Sequence, residues 1–454
     1  MNIPFKTDTL NNGIKIVYIP RKDNNITCIS IFCRVGSVDE SYELQGVSHF
    51  LEHMLFKGTE QRPKPKDIAS ELDEVGAYFN AYTDKNVTSY IVKVNSDYAQ
   101  RGFNILSDMI VNSKIRPEDM ITEKNVVVEE INKSKDNPSE YIEELHYQLL
   151  FGKNPLGHSI GGDEAKILAY PPKLVKEYYH QYYSSNNITI AASSNLNFRN
   201  IKKLIKDSYF PQLLSKNVQH IYPRLSKQLK PRIKVVHKDL EQVHLNIGFP
   251  VCNMYHKDRY VLDIVKIILA GNMSSRLFLD MREKHGLSYS VSVDFSTYES
   301  GGHFSVKTSF DKHSLFIKDQ KNVGSIKNIT ENLVQSKPGG LTIILNNIKK
   351  LCKDLVSKDE LLKAKGFIKG HLVIEKEDSH SITDYFGRQI TQEYNPIVNF
   401  GYLLDQYSKI SAKMIRNTCQ KYFKMKKLNI TIVGEYSEKN ILNFVQKCFT
   451  PLNN

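Results

Sequence analysis

Residues 49–53 read His49-Phe50-Leu51-Glu52-His53. The histidines are four apart and Glu52 follows His49 by three, so on a helix all three side chains leave one face. Imidazoles at that spacing reach a single zinc ion at roughly 2.0–2.1 Å each. A carboxylate beside them is placed to take a proton from water held by the metal. The flanks suit a helix: Gly46 precedes it, Leu51, Met54, Leu55 and Phe56 are apolar, and Lys57-Gly58 is a stop. Paired helix histidines are also common as packed or solvated groups with no metal, so the pentapeptide alone needs a third ligand.

The chain of 454 residues exceeds what one core organises, so two or more domains are expected. It has no run of about 18 apolar residues, hence no expected membrane span. Met1 to Leu10 has neither the apolar core of a signal peptide nor the Arg/Ser-rich character of an organellar presequence. Cys28, Cys33, Cys252, Cys352, Cys419 and Cys448 are scattered and form no Cys-x-x-Cys, the pattern of reduced thiols. Together these read as a soluble intracellular protein, cytoplasmic or organellar. The formal charge is +13, but the lysines are dispersed and there is no arginine-rich arm, which argues against a nucleic-acid partner.

Strand and helix patterns recur twice along the chain. Residues 13–19 and 26–35 read as strands joined by the polar turn Arg21 to Asn25, then the motif helix at 43–57, a helix at 66–75, and paired strands at 78–82 and 87–94. Helices follow at 97–112, 117–135, 139–150 and 172–183, a strand at 187–193 and a helix at 197–208. Three prolines among polar residues mark 211–231 as a linker. Strands at 232–237 and 242–250, helices at 257–270 and 274–284, strands at 288–297 and 302–309, helices at 340–354, 357–376 and 409–423, a strand at 428–434 and a helix at 437–448 complete the pattern. The predicted class is α+β, with two homologous α/β-sandwich domains from an internal duplication: an N-terminal metal domain at 1–210 and a C-terminal partner without the motif at 232–454. Residues 311–340 are polar and read as an added element.

The third ligand is sought on the 117–135 helix, whose Pro117-Glu118-Asp119 start is a good one. Glu123 and Glu130 are seven apart and fall within about 20° of each other, with Val126 and Val127 between them, whereas Glu129 is turned roughly 100° from Glu130. Carboxylates on a valine-lined inner face are costly unless paired or bound to metal. A solvated acidic face is the alternative.

The stretches His-Phe-Leu-Glu-His-Met-Leu-Phe-Lys-Gly-Thr (49–59), Gly-Ala-Tyr-Phe-Asn-Ala-Tyr-Thr (76–83), Val-Val-Val-Glu-Glu-Ile (126–131) and Ser-Ser-Arg-Leu-Phe through Met-Arg-Glu-Lys-His-Gly-Leu-Ser-Tyr-Ser-Val (274–291) resemble the pitrilysin family of inverted-zincin metallopeptidases. The likeness is greatest to the processing-peptidase β-subunit branch and its bacterial relatives, and it spans nearly the whole chain. It implies that His49, His53 and Glu130 bind one zinc ion per chain, that Glu52 is the general base, and that Glu123 supports the ligands. It implies half of a clam-like enclosure, completed by a second chain as a homodimer or as a heterodimer with a related subunit. Arg282 and Tyr289 match the family's pair that contacts substrate and the carbonyl under attack, a role suited to an oxyanion stabiliser. The strand containing Asn80, Ala81 and Tyr82 is a candidate edge for binding an extended peptide. Glu140, Glu143 and Glu144 lie near where the processing branch uses acids to select a basic residue, and an exposed acidic helix face explains them equally well.

The expected activity is therefore zinc-dependent endoproteolysis of unfolded peptides or presequence-like segments. The competing expectation is a structural subunit of a larger complex, which would hold no metal.

Overall fold

The computed structural model describes residues 2–220, 222, 224–317 and 337–449. Six strands of the first half form one sheet: β1 (Lys6–Thr9), β2 (Lys15–Pro20), β3 (Ile26–Cys33), β4 (Tyr78–Thr83), β5 (Thr88–Asn95) and β6 (Ile188–Ser194). Their order is β1-β2-β6-β3-β5-β4. β3 and β6 are rich in Ile, Thr, Ser and Ala and are buried almost throughout, because helices cover both faces of the sheet there.

The turn at Arg21–Asn25 does not make a hairpin as the sequence suggests. β6 lies between β2 and β3, parallel to the first and antiparallel to the second. The connector steps over one strand, and Arg21 is an anchor within it. Its guanidinium grips Asp23 at 2.8 and 3.0 Å and the Lys376 carbonyl at 2.8 Å.

The second half builds β7 (Arg232–Val236), β8 (Gln242–Val251), β9 (Val291–Thr297), β10 (Gly302–Asp311) and β11 (Asn429–Val433), ordered β7-β11-β8-β10-β9. Set against β2-β6-β3-β5-β4, this is the same order, with one parallel pair followed by antiparallel pairs in each. The expected duplication is present at the level of topology, and the class is α+β with two related domains.

The domain boundaries differ from 1–210 and 232–454. One compact unit comprises Met1–Lys133, His158–Ile221 and Gly370–Leu403, and the other comprises Ser134–Gly157, Tyr222–Lys369 and Leu404–Asn454. The cause is an exchange of helices. Each half has a 20-residue helix, Pro117–Asp136 or Lys358–Glu377, followed one residue later by another, Pro138–Phe151 or Ser379–Thr391. Asn137 and Asp378 restart the chain by accepting from the N–H of Ser139 (3.1 Å) and Ser381 (2.8 Å). Pro138–Phe151 then packs on β7, β8 and β11, while Ser379–Thr391 packs on β2, β3 and β6. Helical periodicity shows that a helix has an apolar face but not which sheet it covers.

Most elements lie within a few residues of their predicted bounds. Helices at Glu164–Ala169, Ser379–Thr391 and Phe400–Ser408 were not predicted, and Phe278–Lys284 is π-helical. Of the 311–340 stretch, residues 318–336 lie outside the described residues, and Ile317 and Pro338 on either side form a bridge. Among the described residues no helix is long and apolar enough to cross a membrane.

Candidate metal centre

The motif helix, Val47–Leu55, is set by its apolar side. Phe50, Leu51, Met54 and Leu55 are fully buried in the core of the first unit, among Phe103, Leu106 and Val127. This burial turns His49, Glu52 and His53 to the opposite side. Gly46 starts the helix with φ +96°, and the buried Glu40 caps it. Its two carboxylate oxygens accept the N–H of Gly46 (2.7 Å) and Ser48 (2.9 Å).

The helix Pro117–Asp136 brings the third donor. Glu123, Val127, Val128 and Ile131 form its buried face, whereas Val126 is 40% exposed and is not on the inner side as predicted. With 100° per residue, Glu130 falls on the border between the buried and exposed faces. Its carboxylate Oε2 is 3.8 Å from His49 Nε2 and 3.5 Å from His53 Nε2, and the two Nε2 atoms are 3.3 Å apart. Donors around a tetrahedral zinc with bonds of roughly 2.0–2.1 Å sit about 3.3 Å apart. The three donors already approach that spacing, and theirs is the single cluster of its kind among the described residues.

The surrounding groups fit the same ion. His53 Nδ1 bonds Glu123 Oε1 at 2.8 Å, a carboxylate–histidine arrangement that leaves Nε2 for the metal. Lys57 forms an ion pair with the other Glu123 oxygen. Burial, with His53 alongside, holds His49 at about 4, so its imidazole is neutral near pH 7 with a lone pair to donate. For His53 burial opposes the charged form, but the Glu123 bond and the charges of Glu130, Glu123 and Glu52 outweigh it and raise the pKa. Burial raises the Glu52 carboxyl and Glu130 adds to the rise, against the hydrogen bond from Thr83 and the nearby His53. Thr83 Oγ1 donates to Glu52 Oε2 at 2.6 Å.

β4 is the edge strand of its sheet. Asn80 is exposed on it, Ala81 is half-buried, and the Tyr82 hydroxyl donates to Asp384 on the face away from the motif helix. The Tyr82 hydroxyl therefore braces the exchanged helix, on the same edge strand as Asn80 and Ala81. Arg282 and Tyr289 belong to the second unit, whereas all three candidate metal donors belong to the first. The Arg282 guanidinium lies over the Tyr289 ring at 4.8 Å and over the Phe278 ring at 5.0 Å, with Tyr289 83% exposed. Glu140, Glu143 and Glu144 lie on Pro138–Phe151, where Glu143 pairs with Lys307, Glu140 accepts from Asn137 (2.8 Å) and Glu144 from Gln148 (3.0 Å).

Sequence reasoning did not single out Glu40, Lys57 or Thr83. Lys57 reads as part of a helix stop, and Thr83 reads only as the end of the candidate edge strand. Glu40 carried no local signal, because its partners lie six and eight residues on and are found only once the loop folds back.

Residues 15–164 match the family described as insulinase (peptidase family M16), and residues 172–366 match the peptidase M16 inactive domain. A Bacillus subtilis protein named an uncharacterized zinc protease is 30% identical over 83% of this chain and 86% of its own. A Rickettsia felis protein, also named an uncharacterized zinc protease, is 30% identical over 92% of this chain and 95% of its own. The crystal structure of a protease from Helicobacter pylori superposes with a TM-score of 0.84 at 21% identity, covering 95% of this chain and 100% of that one.

Proposed function

The chain belongs to peptidase family M16, and on that footing we propose that it is a zinc endopeptidase that cleaves unfolded peptides or presequence-like segments. The observation that carries this reading is the near-tetrahedral spacing of His49 Nε2, His53 Nε2 and Glu130 Oε2, with Glu52 on the same helix face.

When bound, zinc supplies Lewis acidity to the scissile carbonyl and to the attacking water. His49, His53 and Glu130 hold the ion, and Glu123 fixes the ring of His53. Glu52 takes the proton of the attacking water and hands it to the leaving amine, for which a carboxyl raised by burial is suited. An extended peptide adds to the open edge of β4 at Ala81, beside the exposed Asn80, which selects chains already unfolded. Arg282 and Tyr289 are assigned to contact the substrate and stabilise charge on its carbonyl. One zinc per chain and pairing with a second copy or a related chain complete the proposal.

The test is Glu52→Gln. It is expected to keep one zinc per chain and to lose cleavage of an unfolded peptide by roughly 10²–10⁴-fold. Normal cleavage by the variant would overturn the mechanism. Wild-type protein with no bound zinc and no chelator-sensitive cleavage would favour a structural subunit instead. Size analysis of the active species tests the pairing.

A further inference from the structure

Thr83 is the last residue of β4, and two separate geometries meet in it. Beyond β4, the Asp84 N–H donates to the Val87 carbonyl at 2.8 Å. In an antiparallel ladder, inward-facing backbone groups alternate along the strand. The Asp84 N–H and the backbone groups of Tyr82 and Asn80 therefore face β5, and Thr83, Ala81 and Phe79 direct theirs to the open edge. In keeping with this, the Ala81 N–H donates to the Asn80 side-chain oxygen at 2.9 Å in place of a strand partner. The side chains alternate too: Tyr82 reaches Asp384, whereas Phe79 lies beside Phe56 and Thr83 reaches Glu52, next to the motif helix.

The Thr83 hydroxyl donates to Glu52 Oε2 and not to Oε1. The terminal torsion of a glutamate is broad and roughly two-fold, so an unheld carboxylate samples many orientations. One bond to a residue fixed in a sheet removes most of that freedom.

Building on the protease reading, we propose that Thr83 is a positioning residue that couples substrate docking to the general base. A peptide strand added to the β4 edge bonds the Thr83 backbone, and the Thr83 hydroxyl holds the Glu52 carboxylate in register with that strand. The base is then indexed to the substrate backbone by one residue, independently of substrate side chains.

The experiment compares zinc-loaded wild type, Thr83→Ser and Thr83→Val on a quenched-fluorescence unfolded peptide, with zinc content measured on each. Thr83→Val is expected to lose about 10–100-fold in kcat, with KM changed by less than about 3-fold and zinc unchanged. Thr83→Ser restores the hydroxyl and stays within about 3-fold of wild type. A kcat for Thr83→Val within about 2-fold of wild type, or a Thr83→Ser variant as slow as Thr83→Val, overturns the proposal. If zinc-loaded wild type cleaves nothing, the protease reading falls by itself. The infrared carboxylate band found by subtracting Glu52→Gln from wild type then decides the role of Thr83. A band moved by Thr83→Val and restored by Thr83→Ser upholds the hydrogen-bond role, and an unmoved band overturns it.

Discussion

Gly46 and Gly162 lie back to back: a Cβ on Gly46 would come within 2.7 Å of the Gly162 Cα, and one on Gly162 within 2.6 Å of the Gly46 Cα. Both have positive φ, +96° and +89°. Any side chain at either site must push apart two backbones, one of which starts the motif helix. Gly46→Ala is expected to destabilise the metal-free protein by about 1–3 kcal/mol in urea titration and to lower its zinc occupancy. Unchanged values of both would show that the contact is slack.

Glu123→Gln keeps an acceptor for the His53 N–H but removes the charge that Lys57 and His53 share. Zinc affinity is expected to fall roughly 10–100-fold in chelator competition, with the fold intact by circular dichroism. The pH dependence follows from the ligands. A protonated imidazole cannot ligate, and the pKa of His53 is raised while that of His49 is held at about 4. As pH falls, affinity is therefore lost first through His53, with release of a single proton on binding, and His49 enters only in more acid solution. Calorimetry in two buffers of different ionisation enthalpy counts that proton.

Burial pushes the Glu40 carboxyl from 4.5 to about 7, against the pull of the Gly46 and Ser48 N–H groups. Between these values the folded chain holds a proton that the unfolded chain has released, so stability falls as pH rises. The contribution is fully present below about 4.5 and is lost by about 7, a difference on the order of 3 kcal/mol. Glu40→Gln cannot titrate, so the gap in unfolding free energy between wild type and variant should shrink or reverse across that window. A pH-independent gap would place the Glu40 pKa elsewhere.

Phe32 on β3 fills the space above Gly387 on the exchanged helix, and a Cβ at Gly387 would overlap its ring. In the second unit the sizes are reversed: His146 on the exchanged helix sits against Gly248 on β8. Gly387→Ala is expected to cost about 1–3 kcal/mol, and Phe32→Leu to recover part of that cost in the double variant. Strict additivity of the two changes would mean that they do not meet.

The candidate metal donors on the motif helix were legible because their geometry is local. Two histidines and a glutamate within one helical turn define a face, whereas Glu130 was set apart from Glu129 by angle and marked as a ligand by the family resemblance. The details around them were less so. The buried side of the 117–136 helix is centred between Glu123 and Ile131, so Val126 turned out to face solvent, a shift of one residue that periodicity does not resolve. The insertion of β6 between β2 and β3, and the exchange of Pro138–Phe151 and Ser379–Thr391, depend on partners far away in sequence. Ser379–Thr391 was also hidden by composition, because its Gly387, Thr383 and Thr391 are poor helix formers held in place by packing. Its Asp378 cap, bonded to Ser381, was the local signal available.

The exchanged helices also set a timetable. The sheet behind the metal donors is covered by residues 379–391, which belong to the other half of the chain. A ribosome that has just finished Lys133 must still add the stretch up to Leu403 before that unit has all its parts. At 5–20 residues per second this takes roughly 14–54 s. Through that interval the nascent chain carries the candidate ligands beside a sheet that Ser379–Thr391 has yet to cover, so the protease reading implies an enzyme that is not fully assembled until Leu403 has been added.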